Sequence, residues 1–187
     1  MDLTDVRKAI DKIDEQIKPL FIARMGCTKK IAAVKAQTGG AVFILDRENS
    51  IIEKNAEGVD PAIRDAYINF LRNLFSVSRH FQYGILKDMQ NAVIEKALAK
   101  GGLKASTPHS SVEISFACLS RPGNLNILCN AVILSNVDIE KMSIENIAGI
   151  HHVDMVLAGN LRDAKLRQAL TQIAKESTDF AIKKLKL

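Results

Sequence analysis

With 187 residues, 20.6 kDa and 47% hydrophobic content, the chain suffices for one domain or two small ones with packed cores, which excludes large-scale disorder. The net charge of +5 alternates with acidic residues, aromatics make up 5% and Trp is absent, so no nucleic-acid surface is expected and small acidic ligands suit the basic excess. The opening MDLTDVRKAIDK is too charged for a signal peptide, no uncharged apolar run nears the roughly 18 residues of a membrane span, and Cys27, Cys118 and Cys129 match no disulfide framework, so no membrane contact and a cytoplasmic setting are expected.

The first predicted element is one long amphipathic helix running to about Gln37. Val6, Ile10, Ile13, Ile17, Leu20, Arg24, Cys27, Ile31 and Val34 follow at alternating steps of four and three, which keeps them on one face. Thr4 is the expected cap, and Thr38, Gly39 and Gly40 the stop. Pro19 should bend the helix without ending it, since the heptad phase carries on through it. Arg24 lies inside the apolar stripe. A guanidinium keeps its charge at any ordinary pH, so an anion is expected to meet it there.

After a short apolar connector, Asp46 is the expected N-cap of a short helix from Arg47 to about Ala56, ended by Gly58. Asp60 caps a third helix that opens on Pro61, and Ile63, Phe70, Leu74, Val77, Phe81 and Ile85 mark its apolar face. Helical character continues to about Lys100 before Gly101 and Gly102, so three helices fill the first hundred residues. A first helix about 50 Å long exposes more apolar stripe than its short neighbours can cover, and a homodimer is the expected remedy.

Residues 101–110 read as a linker, GGLKASTPHS. The period then changes from 3.6 to 2: a strand at Val112–Cys118 leads through Arg121, Pro122 and Gly123 into a helix from about Asn124 to Leu134. Strands at 137–144 and 150–157 flank a turn at Ala148 and Gly149, followed by a helix over 161–176 and a strand over 180–185. The fold class is α plus α+β: a three-helix domain over 1–100, a linker over 101–110, and a ferredoxin-like βαββαβ domain over 111–187.

The spacing of the cations narrows the chemistry. Arg24 and Lys35 are eleven residues apart, so they project within about 20° of each other and about 16 Å along the axis, close enough to grip one small dianion. Arg7 is about 25 Å from Arg24 along the same helix and can share that ligand only from a second, antiparallel chain. Ser78 and Gln82 stand at i and i+4 and offer a hydroxyl and an amide; Arg47 and Glu48 open the short helix. His151 and His152 are neighbours on a strand and face opposite ways, so no metal site is expected.

The run Arg7, Ile10, Asp11, Ile13, Asp14, Arg24, Lys35, Asp46-Arg47-Glu48, Ser78 and Gln82 resembles the all-α chorismate mutases, over residues 3 to about 90. The resemblance implies an intertwined homodimer and the cofactor-free rearrangement of chorismate to prephenate. It implies that Arg7 of the partner chain and Arg24 hold the two carboxylates with Ser78 assisting, that Lys35 and Gln82 donate to the ether oxygen, that Glu48 accepts from the ring hydroxyl, and that Arg47 sets the local charge. Ile44 stands where the family usually has an acidic residue, and would serve through its backbone amide. A relative acting on isochorismate or an amino analogue, and a non-catalytic effector-binding protein on the same scaffold, stay open. Residues 111–187 resemble an ACT domain, on the βαββαβ order and the stretch Arg121-Pro122-Gly123-Asn124-Leu125. That resemblance implies an aromatic amino-acid effector held by Pro122, Gly123, Asn124 and Leu125 at a helix N-terminus.

Overall fold

The computed structural model describes residues 2–121 and 123–187; the expected effector residue Pro122 lies outside them. By Cα proximity the chain divides into two units, Met1–Gly40 and Ala41–Leu187.

The first unit is a single helix, α1 (Leu3–Thr38), continuous through Pro19. Its N-cap is Asp2 rather than Thr4: the Asp2 backbone N–H donates to the Asp5 carboxylate at 3.4 Å, and a carboxylate suits the positive end of the helix dipole better than a hydroxyl. At the other end Gly39, with φ of 69°, donates its N–H to the Lys35 carbonyl, a left-handed cap that only glycine adopts without strain. Most of the apolar stripe is exposed, with Ile10, Ile13, Ile17 and Leu20 between 49% and 69%.

The second unit opens with α2 (Leu45–Ala56). Its N-cap is Ile44, not Asp46: Ile44 is extended, its carbonyl accepts the first helical bond from Glu48, and Asp46 falls in the first turn, where its charge still favours the helix. Next comes α3 (Pro61–Ile85), capped as expected by Asp60, whose carboxylate accepts from the Ala62 N–H at 2.9 Å. The expected single helix to Lys100 is two, because α3 stops at Leu86 and α4 (Lys87–Lys100) begins directly after it. Leu86 turns into the chain, buried with Val42 and Tyr83, and the buried Gln90 side chain takes over the Tyr83 carbonyl at 2.6 Å. That hydrogen bond replaces one the break removes.

The faces of α3 are the reverse of a simple amphipathic helix. Ile63, Phe70, Phe81 and Ile85 are exposed, while Ser76, Ser78, Arg79, His80, Gln82 and Tyr83 are buried.

The remaining elements are β1 (Ser111–Leu119), α5 (Asn124–Leu134), β2 (Ile139–Ile147), β3 (Ile150–Ala158), α6 (Ala164–Glu176) and β4 (Thr178–Lys186). They build one antiparallel sheet in the order β2-β3-β1-β4, the split βαβ arrangement expected from the βαββαβ order. Ala148 and Gly149, with φ of 50° and 81°, form the two-residue turn between β2 and β3, both left-handed as a hairpin turn of this twist requires. Alternate residues of β1 (Val112, Ile114, Phe116) lie opposite Leu157, Met155 and Val153 of β3 and are fully buried. Over them lie Leu166, Leu170 and Ile173 of α6, Leu128 and Val132 of α5, and Ile94, Ala97 and Leu98 of α4. Residues 101–110 therefore lie within this unit, since α4, which precedes them, shares the core of the sheet that follows. His109 ties them down: its Nδ1 meets the Thr107 carbonyl at 2.6 Å and its Nε2 accepts the Leu161 N–H at 2.9 Å.

Candidate active site

The predicted site residues fall in both units. On α1, Arg7 is exposed, and Arg24 and Lys35 are half-buried on the same side of the helix. Thr28, one turn on, donates its hydroxyl to the Arg24 carbonyl at 3.2 Å.

In the second unit, α2 carries Arg47, exposed, and Glu48, half-buried. On α3, Ser78 and Gln82 are buried one turn apart, as i, i+4 spacing demands. The Ser78 hydroxyl donates to the Leu74 carbonyl at 2.8 Å, and Gln82 Nε2 donates to the Ser78 carbonyl at 3.3 Å. Gln82 Oε1 is buried with no hydrogen-bond partner among the described residues.

The strongest polar arrangement centres on a residue the sequence reading passed over. Arg79, next to Ser78, is 2% exposed. Its Nε and Nη2 donate to the two carboxylate oxygens of Glu176 at 2.7 and 3.0 Å, its Nη1 donates to Glu48 Oε2, and its guanidinium lies 4.7 Å from the centre of the Phe43 ring. Glu176 is the last residue of α6. A buried guanidinium left alone would cost several kcal/mol, so two carboxylates and a ring face are what make its burial tolerable. Burial raises the pKa of the Glu176 carboxyl above its ordinary value, against the opposing pull of Arg79. The buried Tyr83 phenol is pushed up as well, by burial and then by Glu176, which it approaches without hydrogen-bond geometry.

A signal for this arrangement was present. Ser76, Arg79, His80 and Tyr83 recur at i, i+3, i+4 and i+7, a polar stripe at helical spacing, and Gln168, Gln172 and Glu176 form a second on α6. The two stripes meet: Gln168 Nε2 donates to the His80 carbonyl at 2.7 Å and the His80 ring meets Gln172 Oε1 at 2.8 Å. Gly84 permits the approach, for a Cβ there would stand 2.8 Å from the Gln168 amide.

Beside this bridge lies a cleft of about 580 Å³, lined among others by Phe43, Glu48, Leu119, Arg121, Asn124 and Glu176. Of the expected effector residues, Asn124 faces it, Gly123 caps α5 with φ of 87°, and Leu125 packs against the core of the sheet. The cleft combines apolar walls with groups of both charge signs, which suits a small zwitterion.

Residues 6–83 match the family model described as chorismate mutase type II. The match supports an enzyme: an isomerase, chorismate mutase. It covers somewhat under half of the chain and includes Arg7, Arg24, Lys35, Arg47, Glu48, Ser78 and Gln82. No curated protein and no solved structure matches the chain. The chorismate mutase match ends within α3, so α4 and the four-stranded sheet with its helices lie outside it. No helix among the described residues is long and apolar enough to cross a membrane.

Proposed function

We propose that the chain is a homodimeric, cytoplasmic chorismate mutase that converts chorismate to prephenate under the control of an aromatic amino acid. By sequence we assign residues 1–100 to the mutase domain, 101–110 to a connector and 111–187 to an ACT-like regulatory domain, with α4 at the end of the first packed into the core of the last. The observation that carries the reading is the family match over 6–83, a span that includes the residues given roles below.

The rearrangement is unimolecular, so the protein has two tasks: to hold a dicarboxylate folded, and to meet the negative charge that grows on the ether oxygen as the C–O bond breaks. Arg24 and the partner chain's Arg7 hold the carboxylates with help from Ser78. Lys35 and Gln82 donate to the ether oxygen, Glu48 accepts from the ring hydroxyl, Arg47 tunes the local charge, and Ile44 contributes its backbone amide. No cofactor takes part. Support for the homodimer comes from the exposed stripe of α1 and the exposed Ile63 and Phe70 of α3, apolar surface that a second copy would cover. The effector reading draws on the cleft at Arg121 and Asn124.

The test is loss of chorismate absorbance on adding the purified protein. Wild type should turn over, and Arg24→Ala should lose at least about two orders of magnitude in kcat/KM, as expected for removing a charge-assisted grip on the transition state. An inactive, folded wild type overturns the reading. Calorimetry of the full chain with Phe, Tyr and Trp tests the sensor, and three blanks would leave the C-terminal domain a structural role alone.

A further inference from the structure

We propose that Arg79 is a positioning residue for Glu48, and that Glu176, on the last turn of α6, fixes the direction in which Arg79 points. The proposal rests on the reading of Glu48 as the acceptor for the substrate's ring hydroxyl.

The argument is one of degrees of freedom. A guanidinium presents five N–H groups in a rigid plane, and when one edge is held by a carboxylate through two parallel bonds the plane cannot rotate. Glu176 supplies that two-point grip through Nε and Nη2, and the Phe43 ring closes one face. The side chains of Arg79 and Glu176 are 3% and 1% exposed, so neither has solvent to relax into. Nη1 is then aimed in one direction, and Glu48 stands there. Glu48, 21% exposed, is the one member of the three with an open side. Its Oε2 is taken by Arg79, which leaves Oε1 for an incoming hydroxyl.

Two consequences separate this from a plain structural ion pair. Two carboxylates face one guanidinium, so when both are ionised the trio carries a surplus negative charge, and the member left open to solvent is Glu48. An acceptor for a hydroxyl gains from that surplus, because the second carboxylate keeps Arg79 from neutralising Glu48 completely. The bridge also joins residues 97 positions apart, so a group within the chorismate mutase match is set by one from outside it.

A double-mutant cycle on the full chain tests the proposal, with kcat and KM for chorismate and thermal unfolding measured on the same samples. Glu176→Gln should lower kcat/KM about tenfold, the rate equivalent of one weakened charge-assisted contact. Glu176→Asp, which keeps the charge, should recover to within about threefold, and Arg79→Lys, which cannot form the two-point grip, should resemble Glu176→Gln. In a Glu48→Gln background, Glu176→Gln should change kcat/KM by less than about twofold, since a residue acting through Glu48 has nothing left to act on. Full multiplication of the two effects overturns the proposal, as does a folded Glu176→Gln with wild-type kinetics. If Glu176→Gln fails to fold, Arg79→Lys carries the same cycle, with Glu176→Asp as the charge-preserving control. A Glu48→Gln enzyme as active as wild type removes Glu48 from the reaction and the proposal with it. A wild type inert toward chorismate is a separate result, which overturns the function itself.

Discussion

At the scale of single residues, the informative group is a carboxylate whose titration burial has displaced. Because the Glu176 pKa in the fold lies above its unfolded value of about 4.3, the fold binds that proton more tightly than the unfolded chain does. The associated stability is fully present below the unfolded value and is lost as pH rises through the folded one. Melting temperatures recorded against pH should therefore show wild type losing ground relative to Glu176→Gln over that interval, and a wild type that gains on the variant would contradict the assignment. Gln82 makes a second prediction. Its amide is buried on the face of α3 assigned to the reacting oxygen, so Gln82→Ala should lower kcat by about two orders of magnitude, the usual loss for one donor to a developing anion. Steady-state assays would show it, with a fall of less than about threefold counting against the role. That Arg24 and Lys35 share one side of α1, and that Ser78 and Gln82 stand one turn apart on α3, was legible because helical spacing is a local property. Arg79 was not, because a charged residue beside an apolar stripe is ordinarily solvated, and only the matching polar row of α6 turns that face inward.

At the scale of elements, the alternation of Val112, Ile114 and Phe116 and the turn at Ala148 and Gly149 made the sheet readable, because a period of two and a left-handed turn are local properties. The break at Leu86 was not readable. No proline marks it, and what makes it tolerable is the side chain of Gln90 reaching back to the Tyr83 carbonyl, a contact with no sequence signature. The shifted start of α2 has the same origin, since extended backbone at Ile44 rather than a capping side chain decides where the helix begins. The α6 face toward the sheet is fully covered, with Leu166, Leu170 and Ile173 at 0% exposure. Leu170→Ala should cost about 2–5 kcal/mol in denaturant unfolding, since nothing nearby can fill the vacated space without moving the sheet. A loss under about 1 kcal/mol would mean that the core collapses around the gap.

At the scale of the whole molecule, the exposed stripe of α1 is the feature to be explained, and the proposed dimer makes a direct prediction. Replacing Ile13 and Ile17 together by Glu places charge in the middle of that stripe. Sedimentation should then show a monomer, and chorismate turnover should vanish with the dimer, because Arg7 would no longer reach a second site. Mixing Arg7→Ala with Arg24→Ala chains should restore part of the activity in hybrid dimers, and hybrids shown to form without any gain would contradict the shared site. The bridge from Glu48 to Glu176 also sets an order of events in folding. Glu48 and Arg79 are made early in the chain and Glu176 near its end, so their mutual arrangement belongs to the slow class of contacts that close long loops. During refolding from denaturant, the helical signal of α1, a local structure, should return first, and the capacity to turn over chorismate should lag until α6 has docked. A chain still emerging from synthesis would hold Glu48 and Arg79 without the carboxylate that orients them, so full turnover should wait for the arrival of α6.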